Sequence, residues 1–206
     1  MLYGRWTIFY FDASKKDAML SHLTSQLDTM TKEVTGAVQA RLVQVAENRM
    51  VVHATYENKE AADAAAERAS GVRASMAEFV TEAPIIREGE LVWGVDPVGQ
   101  APGSPTPTAN YMTFRATDID SSKYDSLIAY MDSKKEQFLG LSGLLRLRIA
   151  RIAENRLVAA AIYDNKSSSD AAQENAAAVM ADGSEFFTGN VVLLQGNLLW
   201  GGRPGS

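Results

Sequence analysis

The chain contains two copies of one sequence pattern. Residues 46–49 and 153–156 both read Ala-Glu-Asn-Arg, 107 positions apart. The same offset relates Gly36 to Gly143 and Trp93 to Trp200, and no gap interrupts the match. A gapless match over about sixty positions indicates a duplicated structural unit rather than a shared composition.

The offset changes once along the match. Ahead of Gly36 it is 108, because Tyr3 and Asp12 match Tyr111 and Asp120. We therefore predict that one residue was gained or lost near the end of the first helix of the repeat.

The segment between the copies is rich in proline. Residues 96–109 hold four of the six prolines in the chain, at positions 97, 102, 105 and 107. Prolines at this density keep the backbone extended and exclude a helix or a central strand. The sequence therefore predicts two units, residues 1–95 and 110–206, joined by a Pro-rich linker at 96–109.

Each copy predicts the element order β-α-β-β-α-β. In the first copy, residues 6–11 are typical of a strand, and Leu20, Leu23 and Leu27 recur at helical spacing ahead of Gly36. Two strands then meet at the Ala-Glu-Asn-Arg corner, an alanine-rich helix follows, and an apolar strand closes the copy. The second copy predicts the same order, with one continuous first helix over 122–139. This order is the ferredoxin-like fold, of the α+β class.

The central hairpin predicts a sheet that is apolar on both faces. Sorted by the two-residue period of strands, Arg41, Val52 and Tyr56 fall on one face. Leu42 and His53 fall on the other, which we assign to the helices. Because neither face is polar enough for water, we expect the two units to pack sheet against sheet as an intrachain pseudo-dimer.

This tandem of ferredoxin-like units, each ending in an apolar strand with a tryptophan, resembles the dimeric α+β barrel superfamily. It is most similar to the antibiotic-biosynthesis-monooxygenase type. The resemblance covers nearly the whole chain and rests on element order and duplication. It implies a barrel formed between two sheets. Members of the superfamily include cofactor-independent monooxygenases of aromatic polyketides, haem-degrading enzymes and haem-binding proteins similar to chlorite dismutase.

The histidines argue against the haem-dependent members of that superfamily. Those members need a histidine on a helix, in the second unit for tandem chains of the chlorite-dismutase type. This chain has two histidines, His22 and His53, both in the first copy and neither on its second predicted helix. It also lacks cysteine and any carboxylate–histidine metal spacing. We therefore predict no cofactor and no metal.

The charge balance bears on partners and location. Twenty Lys and Arg against 25 Asp and Glu give a net charge of −5, which argues against nucleic acid or an anionic membrane as a partner. The apolar run at the N-terminus is short and is broken by Asp12, unlike a signal peptide or a membrane span. We expect a cytoplasmic protein.

Six residues in three repeat-related pairs are the candidates for ligand binding: Arg41, Tyr56, Trp93, Arg148, Tyr163 and Trp200. The arginines lie on an apolar strand face, where a charge must be paired or reach solvent. They fit either an anion or enolate clamp in a cleft or structural ion pairs to Glu88, Glu90 or Asp118. The aromatic residues end strands and fit either ligand stacking or core anchoring. His53 fits a partly buried core or rim position.

Two classes of function remain open from the sequence, which assigns no catalytic residue. One is a non-catalytic small-ligand-binding or assembly protein. The alternative is a cofactor-independent monooxygenase-like enzyme acting on a small aromatic or quinone-like compound, which requires a pocket lined by Arg41 or Arg148. We also expect a homo-oligomer, since the family's tandem chains often assemble further.

Overall fold

A computed structural model of the chain describes residues 1–97 and 109–203. Most of the predicted Pro-rich linker, residues 98–108, lies outside the described residues. The first copy has the predicted element order, as β1 (Tyr3–Tyr10), α1 (Lys16–Glu33), β2 (Ala37–Ala46), β3 (Arg49–Tyr56), α2 (Lys59–Ser75) and β4 (Ile85–Val95).

The second copy repeats this order with one interruption. Its elements are β5 (Tyr111–Asp118), α3 (Tyr124–Ser133), α4 (Lys135–Leu139), β6 (Leu144–Ala153), β7 (Arg156–Tyr163), α5 (Lys166–Asp182) and β8 (Val192–Gly202). The predicted continuous helix over 122–139 is wrong, because the backbone leaves helical geometry at Lys134 (φ −94°, ψ 0°). The break lies in the stretch where the repeat offset changes, which is one residue shorter in the second copy than in the first.

A glycine in the left-handed conformation precedes β2 and β6. Gly36 has φ +77° and Gly143 has φ +74°, a region that side chains with a Cβ rarely adopt. A Cβ at Gly36 would lie 2.6 Å from the Cβ of Ala61, so the turn also lacks space for one. Helix α1 ends at Glu33, shortly before this glycine.

The strands follow the closed order β1-β3-β2-β8-β5-β7-β6-β4, and the pairings of β1 with β3 and β4, and of β5 with β7 and β8, are antiparallel. The predicted fold class, an α+β barrel of two ferredoxin-like units, is confirmed. The chain divides into two compact units: unit 1 is Met1–Glu90 with Leu198–Ser206, and unit 2 is Leu91–Asn197. These borders fall inside β4 and β8, whereas the borders 1–95 and 110–206 follow the repeat.

Each unit has its own apolar core between helices and sheet. In unit 1, Leu23 and Leu27 of α1 pack with Leu42 and Met50 of the sheet. The corresponding core of unit 2 contains Leu127, Met131, Leu147, Leu157 and Val179. The one-turn spacing of the buried helix residues produces the face that covers the sheet.

The predicted sorting of the hairpin faces is wrong by one residue. In the structure Arg41 pairs with His53 and Leu42 pairs with Val52. An irregularity between Gln44 and Ala46 adds one residue to β2 beside the turn, and a one-residue slip moves every side chain of a strand to the other face. Leu42 and Val52 therefore share the helix-covered face, while Arg41 and His53 share the opposite face.

Candidate functional site

Unit 1 contains a cavity of about 90 Å³ between its helices and the helix-covered face of its sheet. Side chains of β1, β2 and β3 form one wall, and side chains of α1 and α2 form the other. Most are apolar, as with Phe9, Leu23, Leu27, Val52 and Val72. A concave, apolar space with a few polar groups is the usual form of a small-molecule site.

Arg5 and Tyr56 bring polar atoms to the unit 1 cavity. Arg5 is only 6% exposed, and its Nε donates to Oε2 of Glu88 at 2.8 Å. Its Cζ lies 5.6 Å from the centre of the Tyr56 ring, within the range of a cation–π contact. Burial raises the pKa of Tyr56, while Arg5 acts in the opposite direction, so the hydroxyl stays protonated near neutral pH.

Unit 2 contains the corresponding cavity, of about 100 Å³. Arg115 on β5 lines it, and its Nη2 donates to Oε1 of Gln173 on α5 at 2.6 Å. Its Nη1 lies 3.8 Å from Sδ of Met180. Burial lowers the pKa of Arg115 because the charged form loses hydration, but a guanidinium remains protonated in proteins.

Tyr163 also lines the unit 2 cavity and is the repeat equivalent of Tyr56. Burial raises the pKa of Tyr163, whereas the side chain of Thr113 and the charge of Arg115 lower it. Its hydroxyl therefore remains available as a hydrogen-bond donor near neutral pH. The combination of guanidinium, phenol and apolar walls suits a planar organic molecule with one polar end.

Groups that accept a proton near neutral pH are absent from the described lining of both cavities. The titratable side chains there are the arginines and tyrosines named above and Arg73. Within residues 1–97 and 109–203, no cluster of three or more histidine, aspartate or glutamate side chains could hold a metal ion. In the same residues, no helix is long and apolar enough to cross a membrane.

Two of the six predicted site residues, Tyr56 and Tyr163, line the cavities. Arg41 and Arg148 are not among the lining residues. Arg148 forms an ion pair with Asp96, and its Nη1 donates to the carbonyl of Val95 at 3.0 Å. Arg146 donates from Nε to the same carboxylate at 2.6 Å.

Two of the three acids proposed for those arginines, Glu88 and Asp118, have other partners. Glu88 pairs with Arg5, and Asp118 pairs with Arg156 at 3.2 Å. Arg41 is buried on the sheet face opposite the unit 1 helices, where it pairs in register with His53. The cavity-lining residues thus come from the other face of the same strands.

Trp93 and Trp200 also lie outside the cavity linings. Nε1 of Trp93 donates to Oδ1 of Asp132 on α3 at 2.8 Å. Nε1 of Trp200 donates to Oδ1 of Asp28 on α1 at 2.9 Å. Each indole thus donates a hydrogen bond from a strand to a helix of the same unit. This is the anchoring role that strand-end aromatic residues often have.

His53 lies deeper than a rim residue. Its side chain stacks on Trp6, with ring centroids 5.0 Å apart, and the residue is 3% exposed. The assignment of His53 to the helix-covered face is wrong, because of the register described above. His22, the other histidine, lies with Nε2 2.9 Å from Oγ of Ser75.

Arg5 and Arg115 are not among the site residues predicted from the sequence. Both lie on the first strand of their copy, which was assigned from its apolar residues alone. A usable signal was present: Arg5 and Thr7 correspond to Thr113 and Arg115, so the arginine moves by two residues and stays on one strand face. Comparing the copies at positions where they differ would have found it.

The fold is an α+β barrel of two ferredoxin-like units, as the resemblance implies. No protein-family model matches the chain, and neither does any curated protein. Several solved structures do match the chain. A provisionally assigned monooxygenase from Lactobacillus acidophilus superposes with a TM-score of 0.76 at 7% identity, over 99% of this chain and 97% of that one.

Two further structures share the fold. An anthrone oxidase-like protein superposes with a TM-score of 0.70 at 13% identity, over 100% of this chain and 94% of that one. An uncharacterized ferredoxin-fold protein related to antibiotic biosynthesis monooxygenases, from Listeria monocytogenes, gives 0.54 at 9% identity, with 96% of each chain covered. At these identities the similarity establishes the fold, and one fold supports many functions.

Proposed function

We propose that the chain is a small-ligand-binding protein that holds a largely apolar organic molecule in the cavity of each unit. The supporting observation is that both copies keep a cavity at the same place, between the helices and the sheet. Each cavity has a tyrosine at the equivalent position and an arginine on the first strand, buried in unit 1 and half-buried in unit 2. An apolar wall supplies affinity and a few fixed polar groups supply orientation.

The described lining favours binding over catalysis. General acid–base chemistry at neutral pH needs a group whose pKa lies near the working pH. The described lining of both cavities offers arginine and tyrosine but neither histidine nor carboxylate. These groups donate hydrogen bonds and stabilise charge, which suits retention of a ligand.

Calorimetric titration with 2-naphthamide, a planar neutral probe, tests the proposal. We expect two molecules to bind per chain. Ala54 and Ala161 are repeat equivalents that line the unit 1 and unit 2 cavities, so a leucine at either position fills one cavity. Ala54→Leu and Ala161→Leu should each leave one molecule bound per chain, and the double variant none.

Ala177→Leu is the matched control, because Ala177 is exposed on α5 and should leave both sites intact. Unchanged stoichiometry in both cavity variants would contradict the proposal. So would failure of the unmodified chain to bind the probe.

A second candidate function is a cofactor-independent monooxygenase acting on an aromatic or quinone-like compound. The anthrone oxidase-like neighbour favours it, and so does the placement of Arg115 and Tyr163, which could stabilise an enolate. The reaction would consume one O₂ per anthrone and release a quinone and one water. Oxygen uptake with anthrone that is lost in Ala161→Leu would favour this enzyme over a binding protein.

We also propose a cytoplasmic homo-oligomer. Ile85 and Ile86 at the start of β4 are exposed, and so are their repeat equivalents Val192 and Leu193 on β8. Apolar side chains exposed at equivalent places suit contact with a second copy of the chain. Light scattering of Leu193→Asp should show a smaller mass than that of the unmodified chain, and a monomeric mass for both would contradict the proposal.

A further inference from the structure

The two cavities differ in how their arginine is neutralised. In unit 1, Arg5 pairs in register with Glu88 across β1 and β4 and forms an ion pair with it. In unit 2, the positions equivalent to Arg5 and Glu88 are Thr113 and Gln195, which also pair in register. The acid has therefore been replaced by a neutral amide, while the arginine has moved to position 115.

The arginine in the sheet wall of the unit 1 cavity has a counter-ion. Arg5 is buried, and Glu88 neutralises it. Arg73, in the last turn of α2, also lines this cavity but belongs to the helix wall. A ligand carboxylate at the sheet wall therefore meets an arginine that is already paired.

The unit 2 cavity holds a guanidinium that no acid in the described part of the chain neutralises. Among the described residues, no carboxylate forms an ion pair with Arg115; it contacts a neutral amide, Gln173, and a thioether, Met180. Met180 occupies the position of Arg73, so this copy has lost the helix-borne charge as well. Burial lowers the pKa of Arg115 because its charged form loses hydration there.

We propose that the unit 2 cavity selects an organic anion, a planar apolar molecule with one carboxylate that pairs with Arg115. The unit 1 cavity takes a neutral molecule instead. This inference rests on the proposed function, because it names the ligand class of the same cavities. The guanidinium matches a carboxylate in shape and charge, and the Tyr163 hydroxyl can donate a further hydrogen bond.

The environment strengthens the pairing of ligand and arginine. Apolar side chains of α3 and α5, including Leu127, Met131 and Val179, line the same cavity and keep the effective dielectric low. A carboxylate that enters this cavity loses its hydration, but it pairs with an arginine that has no acidic counter-ion among the described residues. In unit 1 the same carboxylate would compete with Glu88 for Arg5, and the like charges would repel.

The test compares 2-naphthoate with 2-naphthamide, two probes of nearly equal shape that differ in charge. Calorimetry on Ala54→Leu reports the unit 2 cavity alone, and calorimetry on Ala161→Leu reports the unit 1 cavity alone. In Ala54→Leu we expect naphthoate to bind at least about tenfold more tightly than naphthamide. In Ala161→Leu we expect naphthoate to bind no more tightly than naphthamide.

Arg115→Gln in the Ala54→Leu chain should abolish the preference for naphthoate, measured as the ratio of naphthoate to naphthamide affinity. Arg115→Lys keeps the charge without the planar fork and should keep part of the preference. The inference would be overturned if Arg115→Gln kept the full preference for naphthoate over naphthamide. It would also be overturned if Ala161→Leu preferred naphthoate as strongly as Ala54→Leu does.

The design separates the two proposals. If naphthamide binds with the expected stoichiometry but Ala54→Leu shows no preference for naphthoate, the anion selectivity is overturned and the binding function stands. If neither probe binds the unmodified chain, both are overturned. Thermal unfolding of each variant identifies any loss of binding that is due to loss of the fold.

Discussion

His53 is a buried imidazole between an indole and an arginine. It stacks on Trp6, and the strand register places Arg41 beside it. Burial lowers the pKa of His53 to about 3, and the positive charge of Arg41 acts in the same direction. The folded protein therefore holds this ring in its neutral form.

The free energy of unfolding should fall as the solution is acidified below the ordinary histidine pKa of about 6.5. In that range the unfolded chain binds a proton at position 53 and the folded chain does not. The contribution of His53 to the free energy of unfolding is fully present above pH ~6.5 and is lost as the pH falls towards 3. Between pH 7 and pH 5 the loss should be about 2 kcal/mol. Urea unfolding at several pH values measures it.

His53→Phe keeps an aromatic ring on Trp6 and removes the titration, so the loss of stability over this range should become smaller. His22→Gln is the control, since His22 lies outside this stack and its replacement should leave the contribution of His53 in place. An unchanged pH dependence in His53→Phe would contradict the assignment.

Strand β4 depends on a glycine where its repeat equivalent does not. A Cβ at Gly94 would lie 2.6 Å from the carbonyl oxygen of Leu147 and 2.7 Å from Cδ of Arg148. At Gly201 the nearest atoms would be 4.0 Å away. The difference arises because the backbone of Leu147 and the side chain of Arg148, which donates to the carbonyl of Val95, both lie against Gly94.

Gly94→Ala should therefore destabilise the fold by about 2 kcal/mol, because either the strand or Arg148 must move. Gly201→Ala should stay within about 0.5 kcal/mol of the unmodified chain. Denaturant unfolding of the two variants gives both values. Equal effects would show that the packing of Arg148 against β4 does not constrain position 94.

Across the whole chain, the repeat made the element order and the fold class predictable. A local pattern of strand and helix signals that occurs twice is far less ambiguous than one that occurs once. Two features were not predicted because each depends on a single residue of register. They are the break of the helix at Lys134 and the bulge ahead of the hairpin turn. A bulge leaves composition unchanged but reverses which side chains reach the helices.

The candidate site was only partly predictable for the same reason. Tyr56 and Tyr163 were identified, since a residue kept at equivalent positions is visible in the repeat. Arg5 and Arg115 were not, because the two copies place the arginine at different positions. Their role follows from contacts, with Glu88 in one unit and Gln173 in the other, that sequence spacing does not specify.

Methyl-labelled NMR of the unmodified chain with 2-naphthamide tests the central claim, that ligands bind between the helices and the sheet of each unit. The methyl groups of Val52, Ala54 and Ala161 line the cavities, and those of Val43 and Val51 lie on the opposite sheet face. We expect intermolecular NOEs from the probe to the first group and none to the second. NOEs to Val43 and Val51 alone would place the ligand on the face that carries Arg41 and would contradict the account.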